Sequence, residues 1–477
     1  MSRLGATLRT EAAELAVGAT LGLTIVCMVL GSSSLHEVIG PGKKLRWVAL
    51  VAFAAIACAL ALRDWRRLMV GRPLARVFAF GAWFTAIAII STAWSVDEKL
   101  SFERACSLLL VFAAGGALAL AVRTRPQLPV RMLEGVLGAT VAVALVGIAL
   151  LGFRHAAAVQ PVSVLYPARF RGLGQNPDTV AMLCGISAPI ALWSVLRSRS
   201  SAGRLSAGLA LVLLVGTIAA SGSRGGIVAA LAGGLVLSLA YPMPLRQRLS
   251  TALGVVVLMS GATAVTQIPK PASATAQNSS STSGQKSSGP ALPSVGSPLG
   301  VSEKQYAGRL QDELYRVQAG KRSLLQSSGR FEAWRGAIGQ ANARPLLGYG
   351  FGTENKVFIS RFYNFNGAYV ENSFIGIYLQ LGAIGLTAFV ALLAALCLAA
   401  ALAIRRANAE EPAPTLAAVL ATGIVLMLVQ SYVYSIGNIV TVAFWVCSFT
   451  VAGLAVGPRP AVVEAVKLPK GGVVAPA

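Results

Sequence analysis

Seven polar residues carry the chemistry this sequence can offer: Arg169, Arg171, Arg224, Arg330, Arg335, Glu371 and Asn372. A guanidinium presents a rigid fork of N–H donors that matches the oxygens of phosphate and pyrophosphate. A carboxylate held beside such forks can take a proton from a hydroxyl. Arg224 lies in SGSRGGIVAAL (221–231), where Gly222, Gly225 and Gly226 leave almost no loop between two apolar runs. Its charge is therefore held at a membrane boundary, where charges are costly and often functional. The alternative is a snorkelling arginine that anchors a helix end. Arg330 lies in SSGRFEAW (327–334). Ser327 or Ser328 can cap the helix that follows, leaving Arg330 among first-turn N–H groups that suit an anion. The alternative is a solvated helix arginine. Glu371 opens ENSFIGIYLQLGAIGL (371–386). It reads either as a general base at the mouth of a lipid-facing cavity or as a carboxylate stabilised by the helix dipole.

The elements that must position these residues are apolar helices. Hydrophobic residues make up 55% of the 477 and charged residues 12%, about half the charged share of a soluble domain. Uncharged runs of about twenty residues read as membrane-spanning helices. Twelve fall at roughly 15–32, 45–62, 77–94, 104–122, 134–153, 178–196, 205–221, 225–241, 249–267, 373–403, 414–434 and 439–457. The expected fold is all-α, a polytopic membrane protein of about twelve transmembrane helices. The first run is long enough to remain as a span rather than a cleaved leader.

The net charge of +23 would point to nucleic acid in a soluble protein. Here it follows topology, and no nucleic-acid partner is expected. With the N-terminus and its Arg3 and Arg9 inside, alternate loops hold Arg63, Arg66, Arg67, Arg72 and Arg76, then Arg123, Arg125 and Arg131, then Arg197, Arg199 and Arg204, then Arg246 and Arg248, then Arg405 and Arg406. The opposite short loops hold far fewer, so both termini are expected in the cytoplasm.

One connection, 268–371, is long, and it is expected on the outer side between helices 9 and 10. It divides the chain into a first membrane domain (1–267, helices 1–9), the loop, and a second membrane part (372–477, helices 10–12 and a cytoplasmic tail). Residues 268–300 are Ser-, Pro- and Gly-rich and expected to be flexible. Residues 302–352 are expected to be largely helical, with helices over 302–326 and 330–344, the second stopped by Pro345, and a glycine-rich turn at 346–352 (LLGYGFG). The long loop holds twelve Lys and Arg against six Asp and Glu, and a long loop with helices of its own is more often functional than idle.

Several classes are disfavoured. No P-loop or long cytoplasmic domain serves a nucleotide. The two histidines, His36 and His155, form no metal cluster. Asp97 and Glu98 are a single acidic pair, weak support for a metal-binding sugar-nucleotide site. The six cysteines lie in or beside apolar runs and read as packing residues. No internal repeat of the kind transporters carry is visible. Several arginines facing one carboxylate on the outer side fit a substrate whose tail lies in the bilayer and whose pyrophosphate sits at its surface.

Four pieces, WSVDEKLSFERA (94–105), SRGGIVAAL (223–231), GRFEAWRGAIGQANARPLLGYGFG (329–352) and ENSFIGIYLQLGAIGL (371–386), together resemble the O-antigen ligase and O-antigen polymerase superfamily of bacterial envelope enzymes. The resemblance is clear over about 205–435, and the topology extends it over nearly the whole chain. It implies a glycosyltransferase of the bacterial inner membrane that works on the periplasmic face and needs no cofactor, nucleotide or metal. The donor it implies is an undecaprenyl pyrophosphate-linked saccharide, and the acceptor a glycan or lipid. The bilayer, and other polysaccharide export proteins, are the remaining partners it implies. Arg224 and Arg330 correspond to arginines that engage the pyrophosphate, and Glu371 to the group that handles the acceptor. Arg169, Arg171, Arg335 and Asn372 are substrate-binding candidates. The loop 302–352 would close over the donor. Ligases of the superfamily carry a histidine where this chain has Glu371, so a repeat-unit polymerase fits better. A ligase delivering glycan to lipid A-core is the alternative, and a polysaccharide flippase the third reading.

Overall fold

Self-satisfied backbone is the only solution for runs this apolar, and the chain folds as helices. The computed structural model describes residues 2–64, 70–161, 168–174, 176–266, 330–358, 369–408, 411–434 and 438–456. In chain order the helices are α1 (Ser2–Gly31), α2 (His36–Arg63), α3 (Arg72–Ile90), α4 (Glu98–Ala121), α5 (Leu128–Phe153) and the short α6 (His155–Ala158). Two short strands follow, β1 (Val159–Gln160) and β2 (Arg169–Phe170). Then come α7 (Pro177–Arg197), α8 (Ser201–Ser221), α9 (Arg224–Ala240), α10 (Leu245–Thr266), α11 (Arg330–Ala341), α12 (Glu354–Val357), α13 (Ser373–Arg406), α14 (Ala413–Met427) and α15 (Thr441–Leu454). Among the described residues, nine helices are long and apolar enough to cross a bilayer, while α9, α14 and α15 are shorter apolar helices. The protein is an all-α polytopic membrane protein, and each apolar run read from the sequence falls on one of these twelve. The strands pair antiparallel, Val159 opposite Phe170 and Gln160 opposite Arg169.

The turns sort to two ends of the bundle. At one end Asp64 pairs with Arg125 at 3.0 Å, and Arg406 donates to the carbonyl of Ala455. At the other, Ser34 donates to the Ala157 carbonyl at 2.8 Å and Arg169 to the Ser221 carbonyl at 2.6 Å. Small residues let the helices approach: a Cβ on Gly18 or on Gly135 would collide with the backbone of the facing helix, α5 or α1. An aromatic core joins α3, α4, α13 and α15. Phe112 and Trp445 lie 4.8 Å apart, Phe84 and Phe389 5.4 Å.

One helix is broken, and the break organises the second end. At 34 residues α13 would run about 50 Å, well beyond a hydrocarbon core of about 30 Å. Gly382 interrupts it at φ 63°, ψ −163°, a conformation essentially reserved for glycine. The interruption leaves carbonyls and N–H groups without helical partners. Residues 345–350 supply those partners: Tyr349 N–H donates to Leu379 O (3.2 Å), Gly350 N–H to Gln380 O (2.8 Å), and Ala383 N–H to Pro345 O (2.7 Å). Gly348, Gly350 and Gly352 all have positive φ, and a Cβ on Gly348 would strike the Gln380 backbone. From the other side, Trp94 Nε1 donates to Leu347 O (3.1 Å) and Phe351 N–H to Ser91 Oγ (3.0 Å). The glycine-rich turn expected at 346–352 is this segment, with Phe351 fully buried and edge-on to Phe84 at 6.1 Å.

The helix expected over 330–344 is α11, which ends at Ala341 with turns leading to Pro345. The helix expected over 302–326, the flexible stretch 268–300 and the caps Ser327 and Ser328 lie outside the described residues.

Candidate functional site

The site begins with α11. Its alanines recur every fourth residue, which puts them on one face. Ala333, Ala337 and Ala341 pack on Val357, Phe358, Val370 and Leu379. With that face fixed, Arg330 and Trp334, one turn apart, both reach the strand of chain before α13. Arg330 donates from Nε and Nη2 to Glu371 Oε2, at 3.0 and 2.9 Å. Trp334 Nε1 donates to the Val370 carbonyl at 3.0 Å.

Glu371 stands at φ 54°, the one positive φ outside glycine among the described residues. That conformation costs about 1–3 kcal/mol, and such strain clusters at functional sites. The dipole-capping role that the sequence offered to Glu371 falls to Asn372 instead. Asn372 Oδ1 accepts from the N–H groups of Phe374 (3.0 Å) and Ile375 (3.1 Å), and its Nδ2 donates to Leu428 O at 3.0 Å. Released from capping, the Glu371 carboxyl is pushed up to about 7. Burial is the main cause, Arg330 opposes it, and the charge of Asp178 adds to it.

Asp178 brings a second pair to the cluster. Asn176 caps α7 and leaves Asp178 in its first turn. There Asp178 accepts from Arg169 Nη2 at 2.7 Å and from the Ser223 hydroxyl. Arg169 Nε reaches across to Ser221 O at 2.6 Å, so one buried guanidinium ties the start of α7 to the turn between α8 and α9. Ser223 caps α9, its Oγ accepting from Gly226 N–H at 3.4 Å, and Arg224 follows as the first residue of that helix, half-buried. The field of Arg330 also acts on Asp178. Two guanidinium groups and two carboxylates thus share one end of the bundle, with Arg224 in the adjoining turn.

Two of the expected residues point elsewhere. Arg171 donates from Nε to Ala157 O and from Nη2 to Ala156 O, both at 2.9 Å, which fastens α6. Arg335 is exposed on α11. The Asp97 and Glu98 pair also takes structural work: Asp97 caps α4 by accepting from Leu100 N–H at 3.0 Å and pairs with Lys356 at 3.4 Å. Among the described residues, no three of His, Cys, Asp and Glu gather as a metal site.

Sequence reasoning passed over Asp178, Trp334 and Glu354. The available signal was scarcity. Only 18 of 477 residues are acidic, so each carboxyl group beside a membrane helix is an exception to be explained.

Fold and cluster together define a class: a multi-pass helical membrane protein with a charged centre at one end of its bundle. Residues 209–390 match the family described as O-antigen ligase, and this domain supports a place for the chain in the O-antigen ligase and polymerase superfamily. The activity that family supports is glycan transfer of the ligase or polymerase type, with the bilayer and lipid-linked glycan as its surroundings. The search of curated proteins found no match to the chain. The matched stretch contains Arg224, Arg330, Arg335, Glu371 and Asn372, while Arg169 and Asp178 enter the cluster from outside it.

Proposed function

We propose that the protein is a polymerase of polysaccharide repeat units, acting at the outer face of the bacterial inner membrane on saccharides carried by undecaprenyl pyrophosphate. The observation that carries this reading is the half-buried Arg330–Glu371 pair, set in a matched O-antigen ligase domain at the N-terminal end of the broken helix α13. In the proposed topology twelve helices cross the membrane, both termini are cytoplasmic and the 268–371 connection is periplasmic.

The step is a displacement at the anomeric carbon. The acceptor hydroxyl oxygen forms the new bond to that carbon, and the bond from the carbon to the pyrophosphate oxygen breaks. The electron pair leaves on the lipid pyrophosphate, where Arg330 and Arg224 stabilise the growing charge. The hydroxyl proton passes to Glu371. A carboxyl group titrating near 7 is suited to both taking and returning that proton. Arg330 exchanges its carboxylate partner for phosphate oxygens as the donor arrives, and Arg169 holds Asp178 beside the exchange. No nucleotide or metal enters the proposed step.

The second reading is a ligase that moves finished glycan to lipid A-core. Glu371 in the place of the ligase histidine favours the polymerase. The test is to delete the gene and resolve the surface and lipid-linked glycans on a gel. Lipid-linked single repeats without long chains are the expected result. Full-length lipid-linked chains that never reach lipid A-core would make the protein a ligase. An unchanged profile would remove both readings.

A further inference from the structure

Glu354 is fully buried, lies outside the chemistry just described, and is bound to the chain on either side of Glu371. Its Oε1 accepts from the N–H of Val370 and from the hydroxyl of Ser431 at 3.0 Å. The same Ser431 oxygen accepts from Asn372 N–H at 3.1 Å. The chain on either side of Glu371 is therefore gripped by one carboxyl group, directly at the Val370 N–H and through Ser431 at the Asn372 N–H. Trp334 holds the Val370 carbonyl. A left-handed residue that is not glycine persists only where its surroundings over-determine it, and this grip is that surrounding.

The geometry points to Glu354, acting with Ser431, as the positioning residue that sets the left-handed turn and so aims the Glu371 carboxylate at Arg330. It rests on the proposed role of Glu371 only for its effect on glycan transfer; its effect on the turn stands alone. Glu354 touches no substrate, being wholly enclosed. Its second oxygen, Oε2, has no partner, and neither has the nearby Tyr434 hydroxyl. Both lie against Gly376, where a Cβ would strike the Tyr434 hydroxyl and stand 3.0 Å from Glu354 Oε2. An ionised carboxylate would leave a charged oxygen without a partner there, whereas the neutral acid leaves an uncharged O–H beside the Tyr434 hydroxyl, at far smaller cost. Burial accordingly pushes Glu354 up to about 8. Glutamine has the same shape, accepts the same two hydrogen bonds and carries no charge, so it is the conservative replacement. Alanine is not.

The test uses the full-length protein in lipid nanodiscs and needs no substrate. Infrared titration reads the carboxyl band that Glu371→Gln removes. In wild type and in Glu354→Gln this band should titrate at the same pH. In Glu354→Ala and in Ser431→Ala the freed turn admits solvent, and its midpoint should fall by about one pH unit or more toward the ordinary carboxylate range. In cells lacking the native gene, surface glycan should survive with Glu354→Gln and be lost with Glu354→Ala. Should Glu354→Ala fail to fold, Ser431→Ala and Glu354→Asp carry the same readout. A Glu371 midpoint that stays put in the folded variants overturns the positioning role. Normal glycan with Glu371→Gln would instead overturn the proposed function, and the infrared result would stand by itself.

Discussion

Replacing Arg330 by alanine should convert Glu371, the proposed base, from a half-ionised carboxyl into a neutral acid. Two N–H donors of one guanidinium converge on a single carboxylate oxygen, at 3.0 and 2.9 Å. Both side chains are well under a third exposed, at 26% and 18%, so water screens the pair only in part. A hydrogen bond to a charged group contributes about 1.5–3 kcal/mol, which is roughly a ten- to hundredfold change in the ionised-to-neutral ratio. Arg330 lowers the titration point of Glu371, and its removal therefore raises it from about 7. Near pH 7 the native carboxyl is about half ionised, whereas in Arg330→Ala roughly 1–10% would be. The assay adds purified protein to membranes of the deletion strain, which supply the lipid-linked glycan, and follows chain growth by gel between pH 6 and 9. Transfer by Arg330→Ala should drop roughly five- to fiftyfold at pH 7 and regain part of the loss toward pH 9. Lysine at this position should rescue partly, as a point charge without the fork. If Arg330→Ala has the same pH profile as the native protein at any level of activity, Arg330 does not tune Glu371 and the base assignment falls with it.

The site's supports should respond in distinguishable ways. Glu354 titrates at about 8 in the fold and near the ordinary carboxylate value when unfolded. The folded state is therefore increasingly penalised as pH rises from about 4.5 toward 8. Glu354→Gln should raise the apparent unfolding temperature relative to wild type at pH 8 and leave it unchanged at pH 4.5, as measured by scanning fluorimetry in detergent. Breaking the buried Arg169–Asp178 pair by Arg169→Ala strands a charge and costs about 3–5 kcal/mol, so membrane levels should fall sharply on an immunoblot. Arg171→Ala, which only loosens α6, should leave them near normal. Gly382→Ala should deplete the protein from the membrane, because a Cβ there would collide with the Leu346 backbone. Gly261→Ala, whose Cβ meets open space, is the matched control.

Much of the architecture was legible because length and apolarity alone specify a spanning helix. The runs near 15–32 and 104–122, for instance, overlap α1 and α4, each passing the helix end by one residue. Arg330 and Glu371 were legible as candidates for one site, because a membrane end tolerates charges poorly without partners, but their contact came only from the fold: nothing in one dimension brings residues 41 apart together. The turn at Gly348, Gly350 and Gly352 was visible as a glycine cluster, but its purpose was not. It exists to pair with the interruption at Gly382, and LQLGAIGL reads as unbroken apolar helix in one dimension. Asp178 was hidden by its local role, since an acid in the first turn after Asn176 looks like ordinary helix-start chemistry. Arg169 and Arg171 illustrate the limit best. They sit two residues apart in the same loop, and antiparallel pairing with Gln160 turns Arg169 into the cluster while Arg171 secures α6.

The hydrogen bonds around Glu371 also impose an order on biosynthesis. Asn372 waits for Leu428 and Ser431, which lie 56 and 59 residues further along the chain. A nascent chain that has threaded its first nine apolar helices, and even α13, still lacks the groups that shape the turn. The centre can close only after α14 has inserted and its trailing segment has folded back. Chains stopped at Ala413 should therefore integrate and persist long enough to be seen by pulse labelling, yet make no glycan. A ribosome-bound intermediate exposes no competent centre to the lipid-linked sugars around it, and the last hairpin works as an assembly checkpoint written into the backbone.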